Sequence, residues 1–249
     1  MIRVSASLLL ALTARAAFAV PVQYQFTTGT TTYVYLPLGD GSTVPVPVPP
    51  DPLLASLAGL PISGTFQYDS GAGASFVNPD GSITYGGAFS NLAATIGSYA
   101  ITDGYGGATV GNDTFTSPTL STPSDFLQLA TTVRFPDPTE PFDLTGFSIG
   151  SLALVGVRMF WIENYAPQPT PDFLTSSALP DLLPTSIGGR IALDFVDPTG
   201  GPGGGLLVTR LFLDDLQVTP VPEPATLALL SIGLLALGGA RVLRDRARG

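Results

Sequence analysis

Carboxylates are the side chains best suited to carry chemistry in this sequence, because histidine and cysteine are both absent from its 249 residues. A serine nucleophile needs a neighbouring base, and neither histidine nor lysine is present to supply one, so hydrolase triads are excluded. Zinc sites built on thiolates and disulfide frameworks are excluded because there is no cysteine. Carboxylates in loops leave two chemistries open, namely binding of a hard cation and acid–base hydrolysis of glycosides.

Two short acidic stretches contain the candidate ligands for a cation. Asn112 and Asp113 lie in the sequence GNDTF, and Asp214 and Asp215 lie in the sequence LDDLQV. Calcium prefers amide, carboxylate and carbonyl oxygens of this kind. The paired aspartates also resemble carboxylates that hold structural calcium in jelly-roll carbohydrate-binding modules. We therefore expect no cofactor other than a structural calcium ion, with solvated carboxylates at strand ends as the alternative.

Glycoside hydrolysis needs two carboxylates at a fixed separation across the scissile bond. None of the acidic residues lies in a glycosidase motif, so we expect a protein that is not an enzyme and has no catalytic residues. A polysaccharide hydrolase stays as the least favoured alternative. Its candidate carboxylates would be Glu140 with Asp143, Glu163, and Asp214 with Asp215.

Short strands with alternating polarity make up the body of the chain. VQYQFTT, FLQLATTVRF and GGRIALDFVD alternate, and SLALVGVRMFWIE is apolar enough to be buried on both faces. GLLVTRLFLDDLQVT is the predicted last strand, with a bulge near Asp214 and Asp215. We predict single helical turns in DPLLASLAGL and PDFLTSSALPDLL, a turn at the glycine-rich DGYGGATVGND, and a polyproline II segment at VPVPVPPDP.

These elements predict an all-β fold, an antiparallel β-sandwich of jelly-roll type, with an up-and-down barrel as the alternative. The predicted fold also has an N-terminal signal helix and a C-terminal transmembrane helix. Between residues 20 and 220 the acidic residues number 17 against four arginines. Such a charge repels nucleic acid and suits cations, neutral glycans or simple solubility.

The N-terminus has the pattern of a secretory signal. Arg3 is followed by the apolar run 4–12, and Ala17 and Ala19 form the small-x-small pattern that signal peptidase cleaves. We predict that residues 1–19 are removed and that the body is exported.

The C-terminus has three consecutive parts. The segment Pro222, Glu223, Pro224 precedes an uncharged apolar run at about 225–240, which is long enough to enter a bilayer. An arginine-rich tail, 241–249, then follows and is expected to stay in the cytoplasm. The arginines are Arg241, Arg244, Arg246 and Arg248.

A Pro-Glu-Pro segment, an apolar helix and an arginine cluster in this order resemble the PEP-CTERM sorting signal of Gram-negative bacteria that make exopolysaccharide. The resemblance implies that an exosortase, a membrane protease, recognises Pro222, Glu223 and Pro224. It also implies that the four arginines stop transfer at the inner membrane. It says nothing about the fold of the body.

We therefore expect three regions, namely a signal peptide at 1–19, an extracytoplasmic domain at 20–220 and a sorting signal at 221–249. The expected function is that of an exported, non-enzymatic surface or matrix protein associated with exopolysaccharide or biofilm. The alternative is a calcium-assisted glycan-binding or adhesion module. Expected partners are signal peptidase, an exosortase-like protease, the inner membrane during transit, and exopolysaccharide. The protein would be anchored with its body in the periplasm and then reach the cell surface or the medium.

Overall fold

The computed structural model describes residues 21–37, 43–46, 52–57, 59–116, 122–131, 148–163, 172–185, 187–197 and 207–222. These residues form β-strands and one single-turn helix, so the predicted all-β class is confirmed. The elements are β1 (Val22–Thr27), β2 (Thr31–Pro37), β3 (Thr43–Val46), α1 (Pro52–Ala55), β4 (Ile62–Tyr68), β5 (Ala74–Val77), β6 (Ile83–Ile96), β7 (Tyr99–Phe115), β8 (Ser124–Thr131), β9 (Ser148–Ile149), β10 (Leu152–Ile162), β11 (Gly189–Asp197) and β12 (Leu207–Pro220).

Eight of the strands close into a barrel. The order is β1-β4-β6-β7-β8-β10-β11-β12, and β12 pairs back to β1. The eight strands follow one another in chain order, and each consecutive pair is antiparallel. The antiparallel sheet was predicted, but the jelly-roll sandwich was not the right arrangement, and the up-and-down barrel describes the sheet better.

Four further strands lie outside this ring. β2 pairs with the first half of β12 and carries β3 beyond it, β5 pairs with the start of β6, and β9 pairs with β10. The first three residues of the predicted polyproline II segment VPVPVPPDP, 44–46, instead belong to β3. Pro45 is tolerated there because a strand on the edge of the pairing needs fewer amide donors.

The two ends of the barrel are distinct. β10 and β12 finish at the first end, and β8 and β11 begin there. The last residue of β12 is Pro220, and Leu216 of β12 lies opposite Gly189, the first residue of β11. We call it the loop end, because residues 172–185 cover it. At the second end β4 begins at Ile62, opposite Ile96, and α1 lies shortly before it in the chain. We call this the helix end.

Side chains fill the inside of the barrel, as expected for eight strands. Trp161, Tyr24, Phe66 and Phe89 are fully buried there, and the ring of Phe66 packs against those of Tyr24 and Phe89 at centroid distances of 5.5 and 5.3 Å. The alternation predicted for β11 is confirmed on its inner face. Burial of each large apolar side chain contributes about 1.5–3 kcal/mol, and no disulfide supplements this core.

A buried ion network joins three neighbouring strands on the outer face of the sheet. Asp194 of β11 is almost fully buried and lies directly opposite Arg210 of β12. Arg158 of β10 donates to both carboxylate oxygens of Asp194, at 2.6 and 2.9 Å, and Arg210 Nε donates to Oδ1 at 2.6 Å. Burial raises the pKa of Asp194, and the charge of Arg158 opposes that rise. The two guanidinium groups supply the charge compensation that a buried carboxylate requires.

Prediction of β7 failed at its glycines, because DGYGGATVGND lies inside the longest strand and is not a turn. A Cβ on Gly106 would lie 1.7 Å from the carbonyl oxygen of Ala130, and one on Gly104 would lie 2.8 Å from the Leu92 side chain. These glycines therefore permit close approach of β8 and β6. Periodicity could not reveal the strand, because glycines contribute no apolar side chain to either face.

The helical turn at 52–55 confirms the prediction for DPLLASLAGL. The described part of PDFLTSSALPDLL has no helix and forms an irregular loop. In the part of the chain that the structure describes, no helix meets the length and apolarity needed to cross a bilayer. The predicted signal helix, the transmembrane helix and the arginine-rich tail lie outside the described residues.

Gly106→Ala tests the close approach of β7 and β8. We expect a loss of about 3 kcal/mol or more in the free energy of unfolding, because the methyl group would overlap backbone that cannot rotate away. Gly73→Ala is the matched control, since its Cβ would meet nothing within 4 Å. Urea unfolding of both variants measures the difference, and equal stabilities would contradict the strand pairing.

Candidate functional site

Residues 172–185, which we call the cap loop, close the loop end of the barrel. Leu174 and Leu183 of this loop are buried in the core. Three tyrosines of the barrel hold its backbone. Tyr68 Oη donates to Pro180 O at 2.7 Å, Tyr85 Oη donates to Ser177 O at 2.8 Å, and Leu183 N–H donates to Tyr24 Oη at 3.1 Å.

Burial keeps the hydroxyl groups of Tyr68 and Tyr24 protonated. It raises the pKa of Tyr68 well above its ordinary range, with smaller contributions from nearby Tyr24 and Asp181. It also raises the pKa of Tyr24, and the bond from Leu183 N–H partly opposes that shift. Tyr68 therefore remains a hydrogen-bond donor to the cap loop throughout the physiological pH range.

Asp125 fixes the start of the cap loop. Its side chain is fully buried, and it is the second residue of β8. Oδ2 accepts the N–H groups of Phe173 and Leu174 at 3.0 and 2.7 Å, and Oδ1 accepts that of Asp113 at 3.0 Å. One carboxylate thus joins the cap loop to the end of β7 with charge-assisted hydrogen bonds.

Two more carboxylates meet Asp125, and we call Asp113, Asp125 and Glu163 the acidic cluster. One oxygen of each lies within 4.8 Å of the others. Glu163 Oε2 accepts the N–H of Asp125 at 3.2 Å, and Glu163 N–H donates to Asp125 O at 3.0 Å. Asp113 is exposed and has a left-handed backbone with φ of 52°, a conformation that aspartate tolerates better than most residues.

Asp172 adds a fourth carboxyl group beside the cluster. A side-chain hydrogen bond to Asp125 is the main cause that raises the pKa of Asp172, and the negative charges of Asp125, Glu163 and Asp113 raise it further. Asp172 therefore keeps its proton to a higher pH than an isolated aspartate does.

This arrangement can hold a hard cation, because carboxylate oxygens converge on one point at the surface. It can equally serve only to hold the cap loop against β7 and β8, because backbone N–H groups already bind both oxygens of Asp125. The burial of Asp125 leaves no route for a sugar ring to reach its carboxylate.

The structure separates the four predicted calcium ligands into two surroundings. Asp113 lies in the acidic cluster, and Asn112 donates from Nδ2 to Asp113 Oδ2 at 3.0 Å. Asp214 is ion-paired with Arg190. Asp215 has φ of 57° and lies at a bulge of β12, which confirms the bulge predicted there. The backbone carbonyl oxygen of Asp214 accepts the N–H of Gly29 at 2.9 Å.

Asp125 and Asp172 were missed by the sequence analysis. Asp125 immediately precedes the predicted strand FLQLATTVRF, where an aspartate is ordinary turn chemistry, so nothing local distinguishes it. Both residues begin the same tripeptide, Asp-Phe-Leu, at 125–127 and 172–174. That repeat is the one signal available, and it does not indicate that the two carboxyls meet.

The described chain ends close to the predicted sorting motif. Pro222 is exposed, two residues after the end of β12. The rest of the predicted motif, the cytoplasmic stop and the signal cleavage site lie outside the described residues. These are Glu223, Pro224, Arg241, Arg244, Arg246, Arg248, Ala17 and Ala19.

Comparison with known families decides the nature of this C-terminal segment. Residues 220–244 match the model of the PEP-CTERM protein-sorting motif. The chain carries a PEP-CTERM sorting motif. The motif supports an exported protein that an exosortase, a membrane protease, processes after membrane-anchored transit. No curated protein matches the chain.

Asp172→Asn tests the coupling between the two carboxyls. The folded-state pKa of Asp172 is raised above its unfolded value, so its contribution to stability is present at low pH and is lost as pH rises. We expect Asp172→Asn to gain stability relative to the unmodified chain as pH rises from about 3.5 to 6.5. Melting temperatures across that range measure the trend.

Asp80→Asn is the control with the opposite sign. The hydroxyl and N–H of Ser82 lower the pKa of Asp80, so its contribution is lost as pH falls. The Asp80→Asn variant should therefore lose stability relative to the unmodified chain over the same rise in pH. If the melting temperatures of Asp172→Asn and of the unmodified chain changed with pH in parallel, the coupling between the two carboxyls would be contradicted.

Proposed function

We propose that this protein is an exported, non-enzymatic component of the cell surface or extracellular matrix that an exosortase sorts. The observation that carries the proposal is the PEP-CTERM motif at residues 220–244, directly after the last strand of a folded barrel. The barrel would be the cargo, and the motif with its following apolar run would be the sorting device.

The proposed route has three steps. Residues 1–19 direct export and are removed by signal peptidase. The apolar run at about 225–240 then holds the precursor in the inner membrane, with the barrel in the periplasm and the arginines in the cytoplasm. An exosortase next acts at Pro222, Glu223 and Pro224, and the barrel reaches the surface or the medium.

The acidic composition of the body supports a role beside exopolysaccharide. Between residues 20 and 220 there are 17 acidic residues and four arginines, so the released protein would stay soluble and avoid anionic surfaces. The core fills the barrel, so work on a large polymer would fall to outer surfaces and loops. We propose association with exopolysaccharide or biofilm matrix on this ground.

Glu223→Gln should block processing without blocking export. The substitution keeps the size of the side chain and removes the charge that the motif presents to the protease. Intact mass of the protein from membrane and extracellular fractions of native cells measures the result. We expect the unmodified chain to appear outside the cells shortened at both ends, and the variant to stay in membranes with Arg248 still attached.

Thr219→Ala is the matched control, because Thr219 is exposed just before the motif. It should be processed like the unmodified chain. Release of Glu223→Gln at the normal rate would remove the sorting function and leave the apolar run as a plain anchor.

The acidic cluster favours a second candidate function, a glycan-binding or adhesion module whose loops calcium orders. Oxygens of Asp113, Asp125 and Glu163 lie within 4.8 Å of one another, and Asp172 lies beside them. A divalent cation there would relieve the repulsion among these carboxylates. It would also tie the cap loop to β7 and β8, which suits a binding surface formed by loops.

Calcium should raise the melting temperature of the full chain if this second function is right. At a calcium concentration 100-fold above the dissociation constant the gain is about 2.7 kcal/mol, which corresponds to about 5–10 °C for a domain of this size. Asp113→Asn and Glu163→Gln should abolish the shift, and Asp181→Asn, in the cap loop outside the cluster, should keep it. Identical melting curves in calcium and in chelator would mean that the cluster binds no calcium and only holds the cap loop to β7 and β8 through hydrogen bonds.

A further inference from the structure

Very few residues separate the barrel from the sorting motif. β12 ends at Pro220, and Glu223 is three residues further along the chain. Three extended residues span at most about 11 Å. Any enzyme that binds the motif while the barrel is folded must therefore meet the loop end of the barrel.

Exposed apolar side chains are concentrated at that same end. Phe76, Val77 and Leu182 are 56%, 65% and 62% exposed. Val77 pairs with Ile83 beside the turn that joins β5 to β6, and Ile83 lies opposite Val110, close to where β7 finishes. Leu182 belongs to the cap loop. A large exposed side chain further from this end is Tyr105, 55% exposed, on β7 beside the last residue paired with β8.

Carboxylates lie at the same end of the barrel as these apolar groups. Four exposed aspartates lie at the loop end, and within the described residues the arginine nearest to them in the strand order, Arg190, is already paired with Asp214. The loop end is thus both apolar and strongly acidic. The four are Asp80, Asp113, Asp172 and Asp181.

We propose that the loop end is a docking surface for the sorting protease, formed by Phe76, Val77 and Leu182 with the surrounding aspartates. The proposal rests on the proposed sorting function. The matching surface of the protease, on the side of the membrane that faces the barrel, would present apolar groups and basic residues. Docking there would hold the short segment 220–223 in the active site and raise the local concentration of the motif.

A lipid surface is the rival partner, and the charge argues against it. Inserting Phe76 or Leu182 into a bilayer would bring Asp80 and Asp181 against phosphate groups, with repulsion and desolvation that no described arginine offsets. A protein with basic residues around an apolar patch gains from both features. The acidic rim therefore favours the protease.

The test follows conversion of precursor to processed protein by pulse-chase in native cells, using the full chain. One variant combines Phe76→Ser with Leu182→Ser. A second carries Asp181→Lys alone, because Asp80 accepts the N–H and hydroxyl of Ser82 and its replacement would change stability. We expect each to slow conversion at least about fivefold at an unchanged melting temperature. Tyr105→Ser is the matched control, and it should convert at the normal rate.

A flexible insertion of about 15 Gly/Ser residues between Pro220 and Val221 completes the design. It lets the motif reach the protease without the barrel, so the surface variants and the unmodified chain should then convert equally fast. This result also separates loss of docking from misfolding or failed export, which the insertion would not repair.

Three outcomes would overturn the proposal. Normal conversion of both surface variants would show that the sorting protease does not depend on contact with the loop end. Slower conversion of the serine variant together with faster conversion of the lysine variant would identify lipid as the partner. No conversion of the unmodified chain would remove the sorting function itself, and the docking surface with it.

Discussion

The pairing of β12 with β1 is the constraint on which the rest of this structure depends. It closes the sheet, so the core is enclosed without a disulfide and the barrel presents few open edges. The same strand carries Arg210, which compensates the buried carboxylate of Asp194. It then leads directly into the sorting motif. The final strand therefore completes the fold and delivers the segment that the protease reads.

Most of the backbone groups that the closed barrel removes from water in the cap loop are at the loop end, and they need hydrogen-bond partners there. A long connection has to cross the mouth of the barrel, and its backbone groups leave water when it does so. Tyr24, Tyr68 and Tyr85 each supply a hydroxyl to that backbone, and Asp125 accepts two of its N–H groups. Each satisfied bond is worth about 1 kcal/mol, and each lost partner would cost more. Tyrosine suits this position because its ring fills the core while its hydroxyl reaches the loop.

The sequence predicted strands wherever apolar residues alternate, and failed where another signal governs the backbone. β1, β8, β10, β11 and the bulged β12 could be recognised from their side chains. β7 could not, because Gly104 and Gly106 are present for the close approach of neighbouring strands and read as a turn when taken alone. The choice between sandwich and barrel depends on whether the last strand meets the first, and no local pattern encodes that contact.

The acidic cluster, like the closure of the barrel, depends on contacts that no local sequence pattern encodes. Asp113 was identified because an Asn-Asp pair in a turn suggests cation binding, but its partners Asp125 and Glu163 are distant in sequence and meet through the register of β7, β8 and β10. The sorting motif lies at the opposite extreme, since its recognition requires only order and spacing along the chain. Such a motif can be attached to any fold, so it says nothing by itself about the cargo. Here the short distance between β12 and the motif connects the two, because the protease cannot bind the motif without approaching the acidic, apolar end of this particular barrel.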